Sequence, residues 1–273
     1  MPTAKELYDA ADLTAAIEEV TREVKSKPTE ISRRIFLFEL LCFAGDFDRA
    51  ERQLDVIGHQ SVKADLGVQV YRNNIKAERD RARLFSDGFQ PHFLSEPPAY
   101  VDLHLGAINR LREGNLDEAS RTLEEAEQER PALTGRLNGQ PFLDFRDYND
   151  LVGPVLELIV QDHYVWLPFE QIRRIDIAPP RQLRDLMWVP GRVEAADGIV
   201  GEVYIPALYA GSSEHENDEV RLGRMTDWKK LSENLFLAAG LRLFLVDGAD
   251  KAIFEARNIE IDPVTSEAQS APS

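Results

Sequence analysis

Two kinds of residue are scarce in this chain. Cysteine occurs once in 273 residues, and basic side chains number 32 against 48 acidic ones, a net charge of -16 at pH 7. An acidic excess of that size repels phosphate backbones and anionic membrane surfaces, which are bound through clustered Lys and Arg, so neither nucleic acid nor membrane is expected as a partner. No apolar run approaches the roughly 20 residues that span a bilayer, and "MPTAKELYDAADL" has neither the basic start nor the apolar core of a secretory signal. The expected location is the cytoplasm.

Catalytic templates are missing as well. The chain has no Gly-x-x-x-x-Gly-Lys-Ser/Thr phosphate loop, no His-Glu-x-x-His pair, no Gly-x-Ser-x-Gly elbow and no Cys-x-x-Cys. Cys42 lies in "IFLFELLCFAG", where a small buried thiol is expected and no neighbouring base is in view. The five histidines are scattered without ligand spacing, and His104 reads as a satisfied helix histidine. No cofactor is expected.

What is present begins with an echo. "GDFDRAERQLDVI" and "GNLDEASRTLEEAEQERP" align Gly45, Phe47, Ala50 and Leu54 with Gly114, Leu116, Ala119 and Leu123, and Leu13, Ala16 and Val20 fall into the same register. Ala16 and Ala50 stand one unit apart, and Ala50 and Ala119 two, in a helix-turn-helix repeat of roughly 34 residues similar to the tetratricopeptide type. Glycine lets the chain turn, alanine lets helices approach, and Pro28 and Pro131 end the second helices. The unit between them, "YRNNIKAERDRARLFSDG", is degenerate. It puts Leu84 at the alanine position and clusters Arg72, Arg79, Arg81 and Arg83, either a solvated face or a patch for an acidic partner. Stacked repeats leave a groove suited to a helix or an extended peptide.

After Pro154 the texture changes to short β-branched and aromatic runs, "YVWLPF", "RRIDIA", "GEVYIPALY" and "LRLFLV", broken by Pro and Gly. Asp197-Gly198 and Asp247-Gly248 each sit between apolar runs and predict hairpins. Short helices are expected in "APPRQLRDLMW" and in "MTDWKKLSEN", the latter capped by Thr226, and a solvated hairpin tip in "GSSEHENDEV". The fold class is α+β: a helical-repeat domain over 1–135, a small antiparallel, barrel-like β domain over 136–262, and a disordered tail over 263–273.

The densest polar motif lies where the textures meet. "QPFLDFRDYNDLVGP" spaces Asp144, Asp147 and Asp150 by three with Arg146 among them. Three carboxylates suit a hard cation, and a metal-dependent enzyme using them beside His163 is the rival reading. Arg146, however, competes for the same oxygens, and Asp favours turns and caps, so Asp144, Arg146, Asp147 and Asp150 read as a joint between the two halves.

Four blocks, "FLFELLCFAGDFDRAERQL", "AEQERPALTGRLNGQPFLDFRDYNDLVGPVLEL", "YVWLPFEQIRRIDIAPPRQLRDLMWVP" and "RLGRMTDWKKL", resemble in order and spacing the ImpE family, also called TagJ. The acidic pair that closes the aspartate block in that family reads Asn149-Asp150 here. The resemblance implies a non-enzymatic accessory or scaffold protein of a bacterial type VI secretion system. It further implies binding to a helix of the small subunit of the contractile sheath, and through it a link to the disassembly ATPase ClpV. A general peptide-binding repeat protein is the remaining alternative. Two faces are candidates for the partner: the repeat groove with Arg79, Arg81 and Arg83, and the acidic joint with Phe142, Phe145, Tyr148 and Trp166.

Overall fold

Gly45 and Gly114 both hold positive φ, 71° and 80°, and each turns the chain from one helix into the next. The computed structural model, which describes residues 2–59, 62–233 and 235–264, places α1 at Ala4–Asp9, α2 at Leu13–Ser26, α3 at Ile31–Phe43 and α4 at Phe47–Gly58. These are followed by α5 at Val62–Ser86, α6 at Ala99–Arg112 and α7 at Leu116–Glu129. The pairs α1–α2, α3–α4 and α6–α7 repeat one plan. Leu13, Ala16 and Val20 line the buried face of α2, Ala50 and Leu54 that of α4, Ala119 and Leu123 that of α7. Asp12 and Asp46 cap α2 and α4 by accepting from Ala15 N at 2.9 Å and Arg49 N at 3.2 Å, which satisfies donors the first turn leaves open.

In the first pair the turn position is Ala11, with φ 57°, an alanine doing what glycine does in the other two. The degenerate unit is one uninterrupted helix: α5 runs for 25 residues, and Leu84, at the alanine position, is buried.

The strands follow as β1 Gly135–Leu137, β2 Gln140–Phe142, β3 Phe145–Asp147, β4 Val155–Val160, β5 His163–Pro168, β6 Ile172–Ile177, β7 Trp188–Ala195 and β8 Val200–Pro206. After a short helix, α8 Asp218–Arg221, come β9 Thr226–Lys230, β10 Phe236–Gly240, β11 Leu243–Val246, β12 Ala249–Ala252 and β13 Asn258–Ile261. Eight form one antiparallel sheet in the order β2-β1-β13-β6-β7-β8-β4-β5; β12-β11-β3 and β10-β9 form two smaller ones. Both Asp-Gly pairs are hairpin turns, between β7 and β8 and between β11 and β12, with Asp247 and Gly248 at φ 51° and 80°.

Side-chain alternation decides how the halves meet. On β4 and β5, Val155, Ile159, Tyr164 and Trp166 face a core shared with the helices, while Leu156, Leu158, Val165 and Leu167 face a second core closed by Phe145 and Phe244 of the small sheet. Nearly continuous apolar runs here mark strands buried on both faces.

Three local expectations are corrected. "MTDWKKLSEN" contributes β9 rather than a helix, because Thr226 to Lys230 pair in register with Gly240 to Phe236 and the Thr226 hydroxyl donates to Leu241 O instead of capping. "APPRQLRDLMW" gives only a 3-10 turn at Leu183–Leu186, with the Asp185 carboxylate accepting from Arg181 N and Gln182 N. "GSSEHENDEV" is not a hairpin tip: Ser212 and Val220 are buried, and Asp218 accepts from Leu13 N at 2.8 Å. The expected tail lies outside the described residues from 265 onward.

Candidate functional site

The aspartate motif follows the alternation of β3. Phe145 and Asp147 point inward and are fully buried, whereas Arg146 and the following Tyr148 point outward and are partly exposed. The three carboxylates therefore diverge, and each finds a different arginine. Asp144 takes Arg130, just past the end of α7, through two bonds of 2.9 Å; Asp147 takes Arg242; Asp150 takes Arg146 at 3.1 Å and also accepts from Phe236 N at 2.9 Å. His163 is on β5, paired with Asp162 at 2.9 Å and edge-on to His92. The grouping of Asp144, Asp147 and Asp150 beside His163 in the rival reading is not found, and among the described residues no three His, Cys, Asp or Glu side chains converge to hold a metal ion.

Asp147 belongs to a buried ionic network at the seam between helices and sheet. Glu157 on β4 receives Arg81 Nε at 2.8 Å and Arg81 Nη2 at 2.9 Å, and also pairs with Arg242, which reaches on to Asp147. Tyr164 donates to Glu157, Trp166 Nε1 donates to the Tyr164 hydroxyl, and Tyr209 and Asn149 N stand 3.0 and 2.8 Å from Asp147 Oδ1. The two guanidiniums face three carboxylates, since Arg81 Nη1 also reaches Glu78 at 3.3 Å, and further donors go to the carbonyls of Leu208 and Pro206. Burial alone would raise Glu157, but the pull of Arg81 and Arg242 outweighs it and holds that carboxyl well below the usual range. For Asp147 burial prevails over Arg242 and lifts it to about 6.

The α5 arginines do not form one patch. A helix turns about 100° per residue, so Arg81 lies opposite Arg79 and Arg83. Arg81 is buried on Glu157, Arg79 spans to Glu51 and Asp48 on α4, and Arg83 holds Asp80 and Asp87. Their charge is spent within the chain, which removes Arg81 from any partner surface. Phe142, Phe145 and Trp166 are likewise core residues, and of those four aromatics only Tyr148 reaches the surface, packed on Trp228 at 4.5 Å. Cys42 is buried, and burial pushes its thiol up, away from thiolate chemistry.

An apolar groove does open on the helical half. A cavity of about 250 Å³ is lined by Ile31, Ile35 and Phe38 of α3, Leu54 and Ile57 of α4, and Gly67, Val68 and Tyr71 of α5, with Arg184 at one end. Arg184 is anchored by Glu39 at 2.8 Å and by the Tyr71 hydroxyl at 2.6 Å. Leu66 is 68% exposed beside Gly67.

Residues 139–260, which hold the aspartate motif, the network carboxylates and Arg242, match the family model described as "ImpE protein". Over 260 residues the chain is 35% identical to the type VI secretion system accessory component TagJ of Pseudomonas aeruginosa, covering 95% of this chain and 91% of that one. The chain belongs to the ImpE/TagJ family. A crystal structure of protein VPA1032 from Vibrio parahaemolyticus shares the fold of this family member with a TM-score of 0.87, at 24% identity, over 98% of this chain and 99% of that one.

Glu157, Arg242 and Arg130 escaped the sequence reading. A signal for the first two was there: each is a lone charge within an apolar strand run, "PVLELIV" and "GLRLFLV", and a charge so placed needs a buried partner. No comparable signal marks Arg130, because its partner Asp144 is reached only once β3 folds back on α7.

Proposed function

We propose that this chain is a non-enzymatic accessory component of a type VI secretion system, acting in the cytoplasm, whose helical half grips a helix of the contractile-sheath small subunit and so links it to the ATPase ClpV. The carrying observation is the α3–α4–α5 groove: its apolar walls suit an amphipathic helix presenting anchors at i, i+3, i+4 and i+7. The name of the Pseudomonas relative supports the secretion context. The paired aspartates support a holding role for the motif rather than a reactive one.

The same proposal treats 1–135 and 136–262 as two units locked by one seam, with Asp144, Arg146, Asp147 and Asp150 as the joint. The test uses the full chain immobilised and challenged with purified sheath small subunit, intact or lacking its exposed helix. Capture of the intact subunit and loss with the shortened one supports the reading. No capture of either overturns it, and equal capture of unrelated amphipathic helices favours a general peptide binder.

A further inference from the structure

The outward face of the aspartate motif opens on a second surface, away from the apolar groove. Two cavities, of about 400 and 580 Å³, share Arg146 and Asp150 as a common wall, one against α7 and the other against the β9–β10 ribbon. Their lining includes Glu124, Glu127, Asp150 and Glu233 against the single guanidinium of Arg146. Glu127 is also held by Arg130 at 2.8 Å. The second cavity is floored by the Tyr148–Trp228 ring pair and Phe236, and on the same ribbon Lys230 Nζ lies 5.5 Å over the Phe236 ring. Aromatic faces ringed by carboxylates attract a cationic side chain.

His104 supplies an independent indication. It is buried, it lines the first cavity, and its Nδ1 lies 3.2 Å from Leu151 O. A carbonyl only accepts, so Nδ1 carries the proton and Nε2 is a bare acceptor. Burial lowers His104 to about 4, which keeps the ring neutral at pH 7. Nε2 has no hydrogen-bond partner among the described residues. A buried acceptor beside carboxylates calls for a donor, and a cationic N–H is the donor that satisfies both.

We infer that this acidic, aromatic groove is a docking site for an arginine- or lysine-bearing segment of a partner protein, one side chain lying over Tyr148 and Trp228 and a neighbouring one reaching toward His104. The site does not depend on the apolar groove.

The probe is a fluorescein-labelled decapeptide with arginine at alternate positions, added to the full chain at near-physiological salt, with an alternating glutamate peptide as control. The arginine peptide is expected to bind saturably and to shift tryptophan emission, a shift that W228A removes. Charge reversal in the groove, E124K with E233K, lowers affinity by about tenfold, whereas the equal reversal E194K with E202K, on the distant β7–β8 hairpin, leaves it within about twofold. H104F weakens binding several-fold with its circular dichroism spectrum retained, and if that variant does not fold, W228A at the partly exposed position decides. Equal losses from both charge reversals, or full binding by W228A, overturn the inference, as does failure of the wild-type chain to bind the arginine peptide.

Discussion

Arg81 on α5 and Glu157 on β4, 76 residues apart in sequence, meet in a two-bond pair of 2.8 and 2.9 Å with almost no exposure to solvent. Glu157 at the same time holds Arg242, so one carboxylate bridges two buried guanidiniums and ties the helical half to the strands. Its replacement by glutamine takes a charged partner from two buried guanidiniums at once, leaving Arg81 with Glu78 at 3.3 Å and Arg242 with Asp147. E157Q is expected to lose roughly 3–5 kcal/mol in urea denaturation followed by circular dichroism. Since a domain of ordinary stability has about 5–15 kcal/mol in all, much of the chain would then unfold near physiological temperature.

Within the aspartate motif Asp147 and Asp144 should rank by burial. D147A removes one of the two buried carboxylates that hold Arg242, leaving it Glu157 alone, and is expected to cost roughly 3–5 kcal/mol, whereas D144A removes a pair whose carboxylate is 39% exposed and costs about 1 kcal/mol. Thermal melts of the two variants under identical conditions check the order. A common acid-base or metal role would instead give similar stabilities and a shared loss of function.

The turn before α2 gives a prediction in the stabilising direction. Ala11 holds φ 57°, in the left-handed region that costs an L residue about 1–2 kcal/mol, and Gly45 and Gly114 fill the equivalent turns. A11G relieves that cost at the expense of a more flexible unfolded chain, for a net gain of about 0.5–1 kcal/mol. G114A, with open space around its added methyl, should lose about 1 kcal/mol by the reverse of the same effect. Differential scanning calorimetry reads both.

His104 sets a pH dependence with a definite sign. Its folded value, about 4, lies below the ordinary histidine value near 6.5, so between those limits the unfolded chain binds a proton that the folded chain refuses. The stability it contributes is fully present above about pH 6.5 and falls as the pH drops toward 4, by about 3 kcal/mol at the lower limit. H104F should flatten this part of the stability curve, measured by urea midpoints at half-unit steps from pH 7 to 4.

The helical repeats and the Asp-Gly hairpins were legible because their signals are local. The Gly-to-Ala spacing in "GDFDRA" and "GNLDEA" and the turn chemistry at Asp247-Gly248 need only neighbouring residues to act. The ribbon at Thr226 was misread because its capping residue and basic pattern are compatible with a helix, and pairing with Phe236–Gly240 decides otherwise. The site was half legible. Arg146 does take an aspartate, as competition for the carboxylates suggested, but the partners of Asp144 and Asp147 lie 14 and 95 residues away, and no spacing rule reaches them. The α5 arginines looked like one patch in a linear sequence, and helix rotation divides them.

The central claim is that the α3–α4–α5 groove grips a helix of the sheath small subunit, and Gly67 allows a test that leaves the fold intact. Gly67 is exposed on the groove wall, and a Cβ added there meets no atom within 4 Å. Replacing a helix-interior glycine should hold or raise stability, by up to about 1 kcal/mol, while a long polar side chain fills the groove. Isothermal titration of the sheath small subunit into wild type and G67Q, alongside their melting temperatures, is the direct measurement. The account predicts an equal or higher melting temperature for G67Q with affinity lowered by at least about tenfold; unchanged affinity in G67Q would contradict it.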